Sequence, residues 1–143
     1  MARICGGAQV VLNIHTWFGR WDYGLNPRVF EACGYGAFQL VDWKREMESL
    51  FGNTEDGNGG LVAFRTVADL KEKLRYYLNA PEERAAIAAR GHRIALERHT
   101  YHHRMREALA VMGFSVSREE TSAPCWPFAI RNHPRTGAGR KPG

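Results

Sequence analysis

Residues 24–42 read GLNPRVFEACGYGAFQLVD, and one carboxylate, Glu31, stands inside a short apolar helix pattern. Asn26 and Pro27 are helix-start residues: asparagine accepts from the free first amides, and proline has no N–H to leave unpaired. A helix start presents free N–H groups and a partial positive charge, a place where a phosphate fits. Arg28 adds a guanidinium suited to phosphate, although an arginine there is equally at home on the surface. Glu31 follows one turn later. A carboxylate just beyond a pyrophosphate site can accept the two hydroxyls of a ribose. In isolation such a glutamate is an ordinary solvated helix residue. Its position behind a phosphate cradle makes it a sugar-hydroxyl acceptor.

Other residues extend the candidate set. His15 ends an apolar run, where it either meets a ligand or serves as hydrogen-bonded structure. Trp17, Trp21 and Tyr23 crowd the following segment and can stack on a base or a sugar, or simply cover the loop. His99, His102 and His103 have i, i+3, i+4 spacing, but no cysteine or acidic residue of matching spacing joins them, so no metal is expected. Gly24, Gly34 and Gly36 read as turn residues, because the GYG follows a helix where a dinucleotide fingerprint would open one.

These residues need elements to hold them. The β-branched run QVVLNIH, residues 9–15, predicts a buried strand, and residues 16–26 a loop rich in aromatics and glycine. A helix from Pro27 carries Val29, Phe30 and Cys33 on one face and stops at Gly34 and Gly36. Residues 37–41 predict a second strand. Asp42 is expected to cap a helix with Trp43, Met47, Leu50 and Phe51 at helical spacing. After the turn-rich loop 52–60 comes a third strand at 61–64. Thr66 caps a helix with a Val67, Leu70, Leu74, Tyr77, Leu78 stripe, and Pro81 opens another. Thr100 caps a last one, with Tyr101, Met105, Ala108, Leu109 and Met112 facing inward. The order β-α-β-α-β followed by three helices predicts a partial Rossmann-like α/β fold: about three parallel strands, flanking helices and a helical C-terminal part. Ligands of such sheets bind beyond the carboxyl ends of the strands, which is where Asn13 and His15 fall.

Composition bounds the rest. Hydrophobic residues make up 44% and charged residues 24%, the balance of an ordinary soluble chain. No apolar run reaches the roughly 20 residues of a membrane helix, and the first fifteen residues lack a signal-peptide core. Three cysteines, odd in number and without CxxC spacing, point to a reducing, cytoplasmic setting. The net charge of +5 is uneven: fifteen Lys and Arg stand against thirteen Asp and Glu through residue 113, and five against two beyond it. Residues 1–113 therefore read as one domain and 114–143 as a disordered basic tail. Nucleic acid is an unlikely partner, since Trp126 and Phe128 do not interleave with the tail's charges.

The segments LNIH (12–15), GLNPRVFEACGYGAFQLVD (24–42), the helix entry at 64–78 and HTYHHRM (99–105) resemble the CgeB-like, spore-coat type of glycosyltransferase, within the group-1 enzymes of GT-B fold. The resemblance covers residues 9–112 and is most specific in the NPRVFEA and HTYHHRM segments. It implies a donor-binding half for a nucleotide-diphosphate sugar, used as substrate with no cofactor. Glu31 matches the family's ribose-binding glutamate, Asn26 and Arg28 match the segment against the diphosphate, and Gly24, Leu25 and His15 complete the expected nucleotide-sugar-binding set. The second family glutamate, eight residues earlier, is Tyr23 here, with Asp22 beside it. The acceptor-binding half of a GT-B enzyme is missing, as are the first strands of the donor half. The expectation is a truncated or split glycosyltransferase whose N-terminal half comes from another chain, or which associates with itself. The rival expectations are a non-catalytic remnant serving as an interaction domain and a basic nucleic-acid-binding module.

Overall fold

Three short runs, each carrying a β-branched valine, give three strands: β1 (Val11–Asn13), β2 (Gln39–Asp42) and β3 (Val62–Phe64). In the computed structural model, which describes residues 2–114, they lie parallel in the order β1-β2-β3. Leu12 sits opposite Leu40, and Leu40 opposite Val62. The helices are α1 (Ala2–Gly7), α2 (Pro27–Gly34), α3 (Met47–Phe51), α4 (Val67–Leu78), α5 (Pro81–Arg98) and α6 (Tyr101–Val111). This is the partial Rossmann-like α/β arrangement that the alternation of strand and helix patterns predicts.

Because strand side chains alternate between faces, β2 and β3 feed two cores. Val41, Leu61 and Ala63 join Val29 and Cys33 of α2, Met47 and Phe51 of α3, and Ala95 of α5. Leu40, Val62 and Phe64 join Phe38, Tyr77 of α4, and Ile87 and Ala88 of α5. Burial on both faces is what a parallel sheet requires. Gln39, fully buried, ties α2 to the sheet by donating to Val29 O and to Cys33 Sγ, both at 2.9 Å. Burial pushes the Cys33 thiol up to about 12, outweighing the Gln39 contact, so this cysteine is inert packing.

The structure corrects several expectations. Residues 2–7 form α1, which has no periodic apolar stripe to announce it; it buries Cys5 against Ala32 and Ala37. Strand β1 occupies only three of residues 9–15. Asp42 does not cap α3. It ends β2, while α3 starts five residues later behind Glu46, whose side chain makes no cap. The expected inward stripe of α6 faces outward: Tyr101, Met105 and Met112 are exposed and no residue of α6 is buried. The expected basic tail lies outside the described residues, apart from Phe114.

Candidate functional site

The carboxyl ends of β1 and β2 and the start of α2 meet around Asn26. Its side-chain oxygen caps α2 by accepting from Val29 N at 3.3 Å. Its amide also pairs both ways with Asn13, at 3.1 Å in each direction. Its own N–H donates to His15 Nε2 at 3.1 Å. His15 in turn contacts Asp42 Oδ1 twice, through Nδ1 at 2.6 Å and through its backbone N–H at 2.8 Å. The second oxygen of Asp42 pairs with Lys44 Nζ at 2.8 Å, and Lys44 also donates to Trp21 O at 2.6 Å. Asn13, His15, Asp42 and Lys44 are all buried.

Electrostatics follows from that burial. Removal from water pushes the Asp42 carboxyl up, but the Lys44 ammonium and the two His15 donors outweigh it and hold the group below the ordinary carboxylate range. A buried charge is tolerated when paired and hydrogen-bonded: Oδ1 accepts from both His15 donors, and Oδ2 faces Lys44 as an ion pair without hydrogen-bond geometry. Asp42 is therefore a fixed negative centre at the ligand edge of the sheet.

Above this network lies an open pocket of about 300 Å³, lined by His15, Thr16, Trp17, Trp21, Tyr23, Gly24, Leu25, Asn26 and Lys44. A smaller recess of about 100 Å³ lies on the other side of Lys44, between Asp22, Asp42, Trp43, Phe64 and Arg65. The pocket brings together seven candidates from the sequence: His15, Trp17, Trp21, Tyr23, Gly24, Leu25 and Asn26. Arg28 and Glu31 are exposed on α2 and do not line it. Trp17, Trp21 and Tyr23 form its open wall, with Arg45 stacked on Tyr23 at 4.8 Å. His15 and Asn26 are engaged by the protein on every side that points to a neighbour, so they shape the pocket more than they reach into it.

Sequence reasoning missed Asp42 and Lys44 as part of this site. The available signal was Asp42 and Lys44 in the DWK segment at the end of a fully buried strand, a position that in a parallel sheet falls on the ligand edge. The histidines of the last segment have other work. His99 contacts Leu50 O through Nε2 at 3.1 Å and Arg104 through Nδ1 at 2.9 Å, with its ring packed against both Phe30 and Phe51. His103 bonds Thr100 at 2.7 Å, and His102 bonds Arg106 at 3.0 Å. Among the described residues no three His, Cys, Asp or Glu side chains converge as metal ligands. None of the described helices is long and apolar enough to cross a membrane.

The profile of a family described as glycosyl transferase-like matches residues 1–110. No curated protein and no solved structure gives a significant match.

Proposed function

The chain belongs to the glycosyl transferase-like family, and on that premise we propose that it binds the nucleotide-diphosphate-sugar donor of a group-1, GT-B-type transfer, as in the CgeB-like enzymes it resembles. The observation that carries this reading is the pocket at the carboxyl ends of β1 and β2, facing the N-terminus of α2 and walled by three aromatics. At about 300 Å³ it stands at the lower end of ligand-pocket sizes, so it takes one part of a sugar nucleotide. The remainder runs along the open side of α2, past Arg28 to Glu31. Both of those side chains are exposed and, among the described residues, uncommitted to any ion pair.

In this reading the start of α2 and Arg28 stabilise the diphosphate as it leaves, without a required metal. Glu31 accepts the ribose hydroxyls. Trp21 or Tyr23 stacks on a ring, in place of the carboxylate contact that Tyr23 cannot make. The acceptor and any general base come from the other side of a cleft, supplied by a further domain, a second chain or another copy.

Calorimetry with UDP and GDP tests the proposal. Binding of either is the expected result, and no binding of a single-stranded oligonucleotide. The reverse pattern would favour a nucleic-acid module. A second reading, an interaction domain without turnover, draws on the half-exposed Leu12 of β1 and Ile14 just beyond it; nucleotide binding without sugar transfer would favour it.

A further inference from the structure

We propose that Asp42 is the positioning residue of this pocket, holding one wall through His15 and the other through Lys44. The proposal rests on the nucleotide-binding reading of the pocket. The Asn26 N–H can only donate, so His15 Nε2, 3.1 Å away, must accept. The neutral ring then carries its proton on Nδ1 and donates it to Asp42 Oδ1 at 2.6 Å. The carboxylate thus selects the tautomer, and the tautomer fixes Asn26.

Fixing Asn26 sets the start of α2. With its N–H held by the ring, its side chain is turned to cap Val29 and to pair with Asn13. Pro27 has no N–H, and the Arg28 amide is left to face an anion. The other oxygen of Asp42 works on the opposite wall. Through Lys44 Nζ, at 2.8 Å, it holds the Trp21 carbonyl at 2.6 Å and with it the aromatic segment. One buried carboxylate therefore ties both walls to the end of β2.

Asp42→Asn alone would leave Lys44 buried beside a neutral amide and could unfold the chain, so two His15 variants decide. A glutamine can place its oxygen where Nε2 lies and still accept the Asn26 N–H. An asparagine reaches only the Nδ1 position, so it keeps the Asp42 contact and loses Asn26. Each variant gives up one hydrogen bond of the relay, so comparable melting temperatures are expected. His15→Asn should weaken UDP or GDP binding by about tenfold, and His15→Gln should recover it to within about threefold of the parent. Long-range proton–nitrogen NMR of the parent should show the Nδ1–H tautomer. Equal affinities for both variants and the parent, equal losses in both, or an Nε2–H tautomer would each overturn the proposal while the nucleotide reading stands. A parent that binds neither nucleotide sinks that reading, and this proposal with it.

Discussion

Two carboxylates at the candidate site do opposite work, and the difference is burial. Glu31 is exposed, so its removal costs the fold little: Glu31→Ala should change stability by less than about 0.5 kcal/mol. Its loss should weaken UDP or GDP binding by about 1.5 to 3 kcal/mol, the value of a charge-assisted hydrogen bond. Calorimetry showing equal affinity would remove Glu31 from the site. Asp42 is buried and paired with a buried lysine. Asp42→Asn strands the Lys44 charge and should cost about 3 to 5 kcal/mol in urea unfolding. The sign with pH follows from the direction of its shift. A carboxyl held below its ordinary value stabilises the fold above about pH 3.9, the unfolded value, and that contribution fades as pH falls toward the folded one. The parent should therefore lose stability below pH 4 more steeply than any Asp42→Asn protein that folds.

At the scale of elements, close approach and latching matter more than propensity. Gly91 lies within α5, where an alanine would ordinarily favour the helix. Here a Cβ would fall 2.1 Å from Gly60 O and 3.2 Å from Cys33 Sγ, so α5 packs on the 52–60 loop and α2 only because that carbon is absent. Gly91→Ala should destabilise by about 1 to 3 kcal/mol, as overpacking does, and a thermal melt above the parent's would refute the contact. His99 latches the α5–α6 junction onto Phe30 and Phe51. Burial and then the neighbouring Arg104 and Arg98 charges depress its proton affinity, against the pull of Leu50 O and Glu107. The latch is therefore fully stabilising above about pH 6.5 and weakens as pH falls through that value toward the folded one. Denaturation midpoints across pH 5 to 8 should fall toward acid in the parent, with that slope reduced in His99→Gln. The strands and their parallel order were legible in the sequence, because β-branched runs alternate with helix patterns. So were the caps at Asn26, Thr66 and Thr100, where short polar side chains precede apolar periodicity. Asp42 was not, since an aspartate after an apolar run suits a helix cap and a strand end alike. The outward face of α6 was not either: a periodic stripe shows that a helix has an apolar face, and says nothing of what covers it.

Across the whole molecule, cover is uneven. Helices α2 and α3 with Ala95 of α5 cover one face of β2 and β3, and α4 and α5 cover the other, so that part of the sheet has both faces buried. Strands β1 and β3 each pair only with β2, but β3 is fully buried, whereas Leu12 of β1 and Ile14 just beyond it remain half exposed. An open, apolar edge is a template for another strand. On α6, Tyr101 is 85% exposed and Val111 90%, with Met105 and Met112 beside them. Apolar surface gathered this way marks association more than scattered single residues do. The protein should therefore self-associate along β1. Sedimentation velocity over a tenfold concentration range should show a shift toward larger species, and Leu12→Lys with Ile14→Lys should abolish it by charging the edge. Lysines substituted at Met105 and Met112 provide the control, since they alter the helix face and leave the edge intact. If those α6 changes abolish the shift and the β1 changes do not, the helix is the contact. A parent that stays strictly monomeric, with one sharp cooperative melt, would mean that three strands and their helices suffice as they stand, and that the exposed edge of β1 is tolerated without a partner.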